Sequence, residues 1–159
     1  MSILYDILKI CVSIIFNILN KLLAGKLPPL GSATVVVEEE NRYLVVILPG
    51  KRVVFPGGFM LWHETPQQAA EREGREETGL TLQADNFIAF YSLKSTGWHN
   101  MSTTSFAYHA HVIGGALCNS IEGSACWMHE DELRKCLTGH SVNILDDYLL
   151  YRERNTDAA

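Results

Sequence analysis

The stretch from Gly57 to Leu80, GGFMLWHETPQQAAEREGREETGL, constrains this chain more than any other, because it joins a glycine turn, a helix with marked ends and a concentration of glutamates. Thr65, Pro66 and Gln68 form a helix start: a hydroxyl N-cap, a proline at the first helical position and a capping-box partner. Gly79 is the matching stop. Between these ends, Glu73, Glu76 and Glu77 are spaced so that a helix puts all three carboxylates on one side, with Arg72 and Glu71 beside them. Like charges crowded in this way oppose folding unless a cation resolves the repulsion.

Mg²⁺ or Mn²⁺ would do so, since hard cations select carboxylate and carbonyl oxygens. The alternative is a solvated acidic helix face, the usual fate of a charge run. The turn in front, Phe55-Pro56-Gly57-Gly58, weighs against that alternative, because its glycines let the backbone approach an ion or a phosphate closely.

With these residues in view, the segment resembles the Nudix box, G-x5-E-x7-R-E-U-x-E-E-x-G-U, where U is a bulky apolar residue. Gly58, Glu64, Arg72, Glu73, Glu76, Glu77, Gly79 and Leu80 fall in register. One position departs: Gly74 stands where the family usually has an aliphatic residue packed under the helix. That glycine costs the helix roughly 1 kcal/mol relative to Ala, so the helix is expected to lose rigidity there. Further along, Trp127-Met128-His129-Glu130-Asp131-Glu132-Leu133 is similar to the aromatic-led segment that precedes a late helix in the family. The likeness extends over residues 32–153.

The resemblance implies an α/β (α+β) fold, an α/β/α sandwich around a mixed β-sheet, here preceded by an extra N-terminal hydrophobic helix. It also implies a pyrophosphohydrolase that cleaves a nucleoside diphosphate linked to another moiety by attack of water. On the family pattern the backbone carbonyl of Gly58 and the carboxylates of Glu73, Glu76 and Glu77 bind Mg²⁺ or Mn²⁺, and Arg72 and Glu64 orient the carboxylates by ion pairing. A metal can neutralise the phosphates and activate the water. For the general base, Glu76 and Glu77 lead within the box. Glu122, ahead of Trp127, is the candidate outside it, against the alternative of an ordinary loop carboxylate.

Trp98 with His99 could stack on a base or pack at the domain edge, and both readings stay open. His109 and His111, two apart, share one face of a strand, where a satisfied pair is the simpler reading. His63 has no assigned role. The substrate class stays broad: no proline follows Pro66, unlike the ADP-ribose pyrophosphatase marker. Phe87, Phe90 and Tyr91 stand too close to the box for the dinucleoside-polyphosphate pattern. A non-catalytic nucleotide-binding or membrane-associated module on the same fold is the alternative, and its mark, loss of box carboxylates, is absent.

The 159 residues suit one domain, and 47% hydrophobic residues suit a globular one. A net charge of −5 excludes a general nucleic-acid binder, which needs a basic face. Cys11, Cys118, Cys126 and Cys136 show no C-x-x-C spacing, so reduced, mostly buried thiols are expected. Family members are often dimers, so a homodimer is expected by analogy alone.

Residues 1–31 are read as an apolar helix and a Pro-rich linker, and residues 154–159 as a disordered tail. In residues 3–24 the polar positions Asp6, Lys9, Ser13, Asn17 and Asn20 recur at helical spacing and leave the remaining surface apolar. A secretory signal is disfavoured, since no basic n-region or small-residue cleavage site is seen. Such a helix is about 33 Å long. It could lie in a membrane interface, cross as a single-pass anchor, or pack on the domain or a second subunit. For either membrane reading, Lys21 and Lys26 put the domain on the cytoplasmic side, and a cytoplasmic location is expected throughout.

From residue 33 the period changes. Thr34–Glu38 and Tyr43–Leu48 read as a hairpin, Lys51–Phe55 as a short strand, Asn86–Leu93 and Thr103–Ile113 as strands joined by a loop, and Ala125–Met128 as a last strand. Helices are expected at Glu130–Leu137 and Val142–Arg152.

Overall fold

The computed structural model describes residues 2–156. The side chains of residues 2–6, 8, 9 and 156 lie outside the described set, and with them Asp6 and Lys9 of the expected polar stripe. Residues 157–159, the end of the expected tail, lie outside it as well.

The order is α1 (Ser2–Leu22), β1 (Leu30–Val36), β2 (Glu38–Glu39), β3 (Arg42–Leu48), β4 (Arg52–Val54), β5 (Gly57–Phe59), α2 (Pro66–Thr78), β6 (Leu80–Leu93), β7 (Thr103–Gly115), β8 (Ser124–His129), α3 (Glu130–Cys136) and α4 (His140–Thr156). The strands form two four-stranded sheets. In the first, β1 lies between β5, antiparallel to it, and β7, parallel to it, and β6 closes the far edge against β7. In the second, β3 pairs with β2, β4 and β8.

Alternation along β1 sorts its side chains between two cores. Ala33 and Val35 turn to one side, where with Val37 just past the strand they meet Ala69 and Ala70 of α2 and Leu44, Leu80 and Leu82. Val36 turns to the other side, where Tyr43, Val45 and Phe55 meet Leu133 of α3 and Ile144, Leu145 and Tyr148 of α4. Helices therefore cover both faces of the strands, the α/β/α arrangement expected. Burying two such clusters is the main source of stability, at about 25 cal/mol for each Å² of apolar surface removed from water.

Several expectations are corrected. The hairpin from Thr34 is confined to Glu38–Glu39 against Arg42–Tyr43, because the upstream residues leave β3 and pair with β5 and β7. The mixed sheet expected is the first of the two, since β1 runs antiparallel to β5 and parallel to β7. The glycine turn is itself a strand, β5. β6 starts at Leu80, directly after the helix stop, and accommodates register shifts at three points on its way to Leu93. Leu30 and Gly31, read as linker, belong to β1. Residues 154–156 are helical, since α4 runs on past Arg152. That last turn follows an anchored one: Arg152 Nη1 donates to Glu38 Oε1 at 2.8 Å, and Tyr148 Oη donates to Glu38 Oε2 at 2.8 Å. The thiols are free as expected but not buried: Cys11 and Cys118 are exposed, Cys126 and Cys136 half-buried.

Candidate active site

The site grows out of the ends of α2. Thr65 Oγ1 accepts from the Gln68 backbone N–H while the Gln68 side chain accepts from the Thr65 N–H, closing the capping box, and Gly79 ends the helix at φ 74°. A helix held at both ends presents its side chains at set angles. Ala69, Ala70 and Gly74 go to the core, so Arg72, Glu73 and Glu76 fall on the side that faces β5.

Arg72 is the hub. Its Nε and Nη2 grip both oxygens of Glu64 at 2.9 and 2.6 Å. Its Nη1 donates to Glu73 Oε1 at 2.8 Å and Glu76 Oε2 at 3.2 Å, and Nη2 also reaches the Phe59 carbonyl at 3.0 Å. A planar guanidinium can serve so many acceptors because its donors lie in a fixed fork. The consequence for charge is mutual: the hydrogen bonds with Glu64 hold the guanidinium pKa well above its ordinary value. Hydrogen bonding to Arg72 holds Glu64 below the usual carboxylate range.

Glu73 behaves in the opposite way. Burial pushes its pKa up, Arg72 opposes that shift, and the charges of Glu76 and Glu122 add to it. The carboxylate is packed against β5: a Cβ at Gly58 would come within 2.5 Å of its Cδ and 2.6 Å of both oxygens. Position 58 therefore has to be glycine if Glu73 is to keep this place.

The acidic residues of α2 divide by role. Glu77 is 5% exposed and accepts from the Gly57 N–H at 2.9 Å. Glu71 accepts from the Ala84 N–H at 2.9 Å, bracing α2 on β6. Glu76 is 56% exposed at the side chain and is the open carboxylate of the group. The Phe59 carbonyl and the Gly57 N–H were not singled out from sequence; the only sign of them was the glycine pair that brings this backbone close.

Outside the box, Glu122 is exposed on a turn before β8 that is closed by the Ser120 N–H donating to the Gly123 carbonyl at 3.0 Å, and its charge acts on Glu73. Trp98 and His99 are exposed in the β6–β7 loop, where the Trp98 carbonyl accepts from Asn17 of α1. His109 stacks on Tyr148 with ring centroids 5.7 Å apart, and His111 pairs with Asp85. Both histidines therefore contribute to the packing of β7 against β6 and α4.

A model of the NUDIX domain matches residues 28–148, and the chain belongs to that family and its hydrolase class. A MutT-like protein of Streptomyces ambofaciens is 29% identical over 125 residues, 75% of this chain and 78% of that protein. The NUDIX hydrolase of Nitrosomonas europaea superposes with a TM-score of 0.69 at 22% identity, over 77% of this chain and 90% of its own. An ADP-ribose pyrophosphatase of Streptococcus suis does so at 0.60 with 17% identity, over 74% and 89%. These two structures share the fold.

Proposed function

We propose that the chain is a metal-dependent pyrophosphohydrolase that cleaves the phosphoanhydride of a nucleoside diphosphate joined to a further group, as in a nucleoside triphosphate or a nucleotide sugar. The single observation that carries this reading is the Arg72 hub: one guanidinium aligns Glu64, Glu73 and Glu76 beside a backbone strand that only glycine allows so near.

The residues fit a hard divalent cation. Among the described residues no three acidic or imidazole groups already converge on one point. The donors on offer are nonetheless carboxylate and carbonyl oxygens, and Arg72 engages one oxygen each of Glu73 and Glu76. Glu73 also suffers burial and repulsion that a cation would relieve. Glu73, Glu76 and the Gly58 carbonyl would hold Mg²⁺ or Mn²⁺, with Glu77 behind them. A bound ion supplies charge neutralisation at the phosphates and a more acidic water.

The remaining work falls to the chain itself. Arg72 and Glu64 keep Glu73 and Glu76 from swinging away. Glu77, held on Gly57, fixes the strand that carries Gly58. Glu76, as the open carboxylate, takes the proton from the attacking water, and Glu122, whose charge acts on Glu73, is the second carboxylate proposed for that role. His99 offers an exposed ring to a base from the β6–β7 loop. Retention of every box carboxylate argues against the non-catalytic alternative. Of the relatives' names, ADP-ribose pyrophosphatase carries a substrate and MutT-like carries none, so the substrate is stated as a class.

The test is release of phosphate or pyrophosphate from nucleoside triphosphates, nucleotide sugars and ADP-ribose with Mg²⁺ or Mn²⁺. Wild type is expected to turn over at least one of them, and Glu76→Gln to lower kcat by about 10²-fold or more with an unchanged circular dichroism spectrum. No turnover on the whole panel sinks the enzyme reading, and an unaffected Glu76→Gln sinks the assignment of the base.

A further inference from the structure

The helix α1 rests on the domain with its polar side. Asn17 Nδ2 donates to the Asn100 carbonyl at 3.0 Å and reaches the Trp98 carbonyl at 3.5 Å. Ser13, one turn earlier on the same stripe, is 4% exposed. Asn20 Oδ1 accepts from the Leu27 N–H at 3.1 Å and secures the exit from the helix. Helices that complete a water-soluble core do the reverse, turning an apolar stripe inward.

What α1 leaves outside is therefore apolar. Ile7, Ile10, Val12, Ile15, Ile18 and Leu19 are all exposed, and at Leu22 the figure reaches 77%. At 100° per residue the six span about 200° of the helix surface. A single packed helix covers roughly half of that width, so a second copy of α1 would leave much of the arc in water. A medium that surrounds the helix on that whole side would not.

Charge names the medium. Lys21 and Lys26 are exposed at the end of this surface, and no acidic residue occurs from Ile7 to Val37, although the chain as a whole carries −5. An anionic surface would thus attract this segment and repel the remainder. Trp98, half-exposed, shares a cleft with Asn17, Asn20 and Lys21, and Trp favours the headgroup level of a bilayer. No helix among the described residues is long and apolar enough to cross a membrane, and a polar stripe held on the domain beside an apolar arc of about 200° suits a helix lying flat.

We propose that α1 lies in the headgroup–acyl boundary of an anionic bilayer, apolar arc toward the lipid, and carries the NUDIX domain on its polar stripe. The proposal is independent of the substrate and of turnover. The test is flotation of the full chain with phosphatidylcholine vesicles made with and without phosphatidylglycerol. The chain is expected to float with the anionic vesicles and much less with the neutral ones. A double variant, Ile15→Asp with Leu22→Asp, is expected to lose more than tenfold in partition coefficient at an unchanged melting temperature, since both side chains point away from the domain. A second variant, Lys21→Glu with Lys26→Glu, is expected to weaken binding to the anionic vesicles several-fold.

Absence of flotation with anionic vesicles overturns the proposal, as does equal flotation of the Asp variant. Equal binding of wild type to neutral and anionic vesicles overturns the anionic assignment. A dimer in solution that the Asp substitutions dissociate, without any vesicle binding, would show that a second copy covers this face instead.

Discussion

Gly74 offers the sharpest test of how α2 is seated. It lies where α2 crosses β1 and β6, and a Cβ there would come within 2.5 Å of Leu82 Cδ1 and 3.2 Å of Val35 Cγ2. Two effects oppose each other in Gly74→Ala. Helix propensity favours the alanine by about 1 kcal/mol. Overpacking costs ~1–3 kcal/mol, because Leu82 is 4% exposed and has little room to move. The net expectation is destabilisation of about 1 kcal/mol.

Shortening the neighbour separates the two. Leu82→Ala alone is expected to cost ~2–5 kcal/mol through the cavity it leaves. In the double variant the new methyl enters that cavity, the clash is gone and the propensity gain returns. The pair should therefore be less destabilised than the sum of the singles by ~1–3 kcal/mol. Urea midpoints at constant m report each value. If Gly74→Ala stabilises by about 1 kcal/mol and the cycle is additive within ~0.5 kcal/mol, then Leu82 does not fill the space under Gly74 and the packing argument fails.

Two further outcomes follow from the same structure. Gly58→Ala must push Glu73 off the strand and away from Arg72. It is expected to lower kcat by about tenfold or more while urea midpoints shift little, and full activity would contradict the role given to that contact. His140 packs edge-on against Tyr91, and neither of its ring nitrogens has a partner among the described residues. Burial holds its pKa below the ordinary value, so the unfolded chain binds the proton first. Stability from this residue is present above an unfolded pKa of about 6.5 and is lost as pH falls from there toward the lower folded value. His140→Leu should match wild type at neutral pH and lose less stability between neutral and mildly acidic pH, as read from urea midpoints.

The box was legible because its signals are local. A cap, a first-turn proline and a stop glycine fix where a helix begins and ends, and the 3.6-residue period then places Arg72 next to Glu73 and Glu76 without help from any other element. The period-2 runs located β3, β4, β7 and β8 for similar reasons. β5 was read as a turn because two glycines carry no strand signal, and only pairing with β1 makes them one. The hairpin from Thr34 failed for the same reason: alternation shows which residues face the core but not which strand they will join.

Gly74 shows the limit inside the motif itself. From sequence it is a loss of helix propensity and of rigidity. In the fold it is a close approach, with Leu82 occupying the volume that an aliphatic residue would have filled from the helix. The split among the glutamates was equally hidden, since Glu71, Glu76 and Glu77 look alike until β5 and β6 supply the N–H groups that take two of them.

What the sequence by itself determined is the chemistry on offer: hard oxygen donors and Arg72 on a helix with defined ends, a glycine pair ahead of them, and an apolar segment with one polar stripe. These depend on the nature of side chains and on contacts a few residues apart. The tertiary structure decided which carboxylate is open and which braces a strand, why residue 74 is a glycine, and that α1 meets the domain with its polar side. Each of those depends on elements distant in the chain being brought within hydrogen-bonding or van der Waals reach, and no local pattern carries that information.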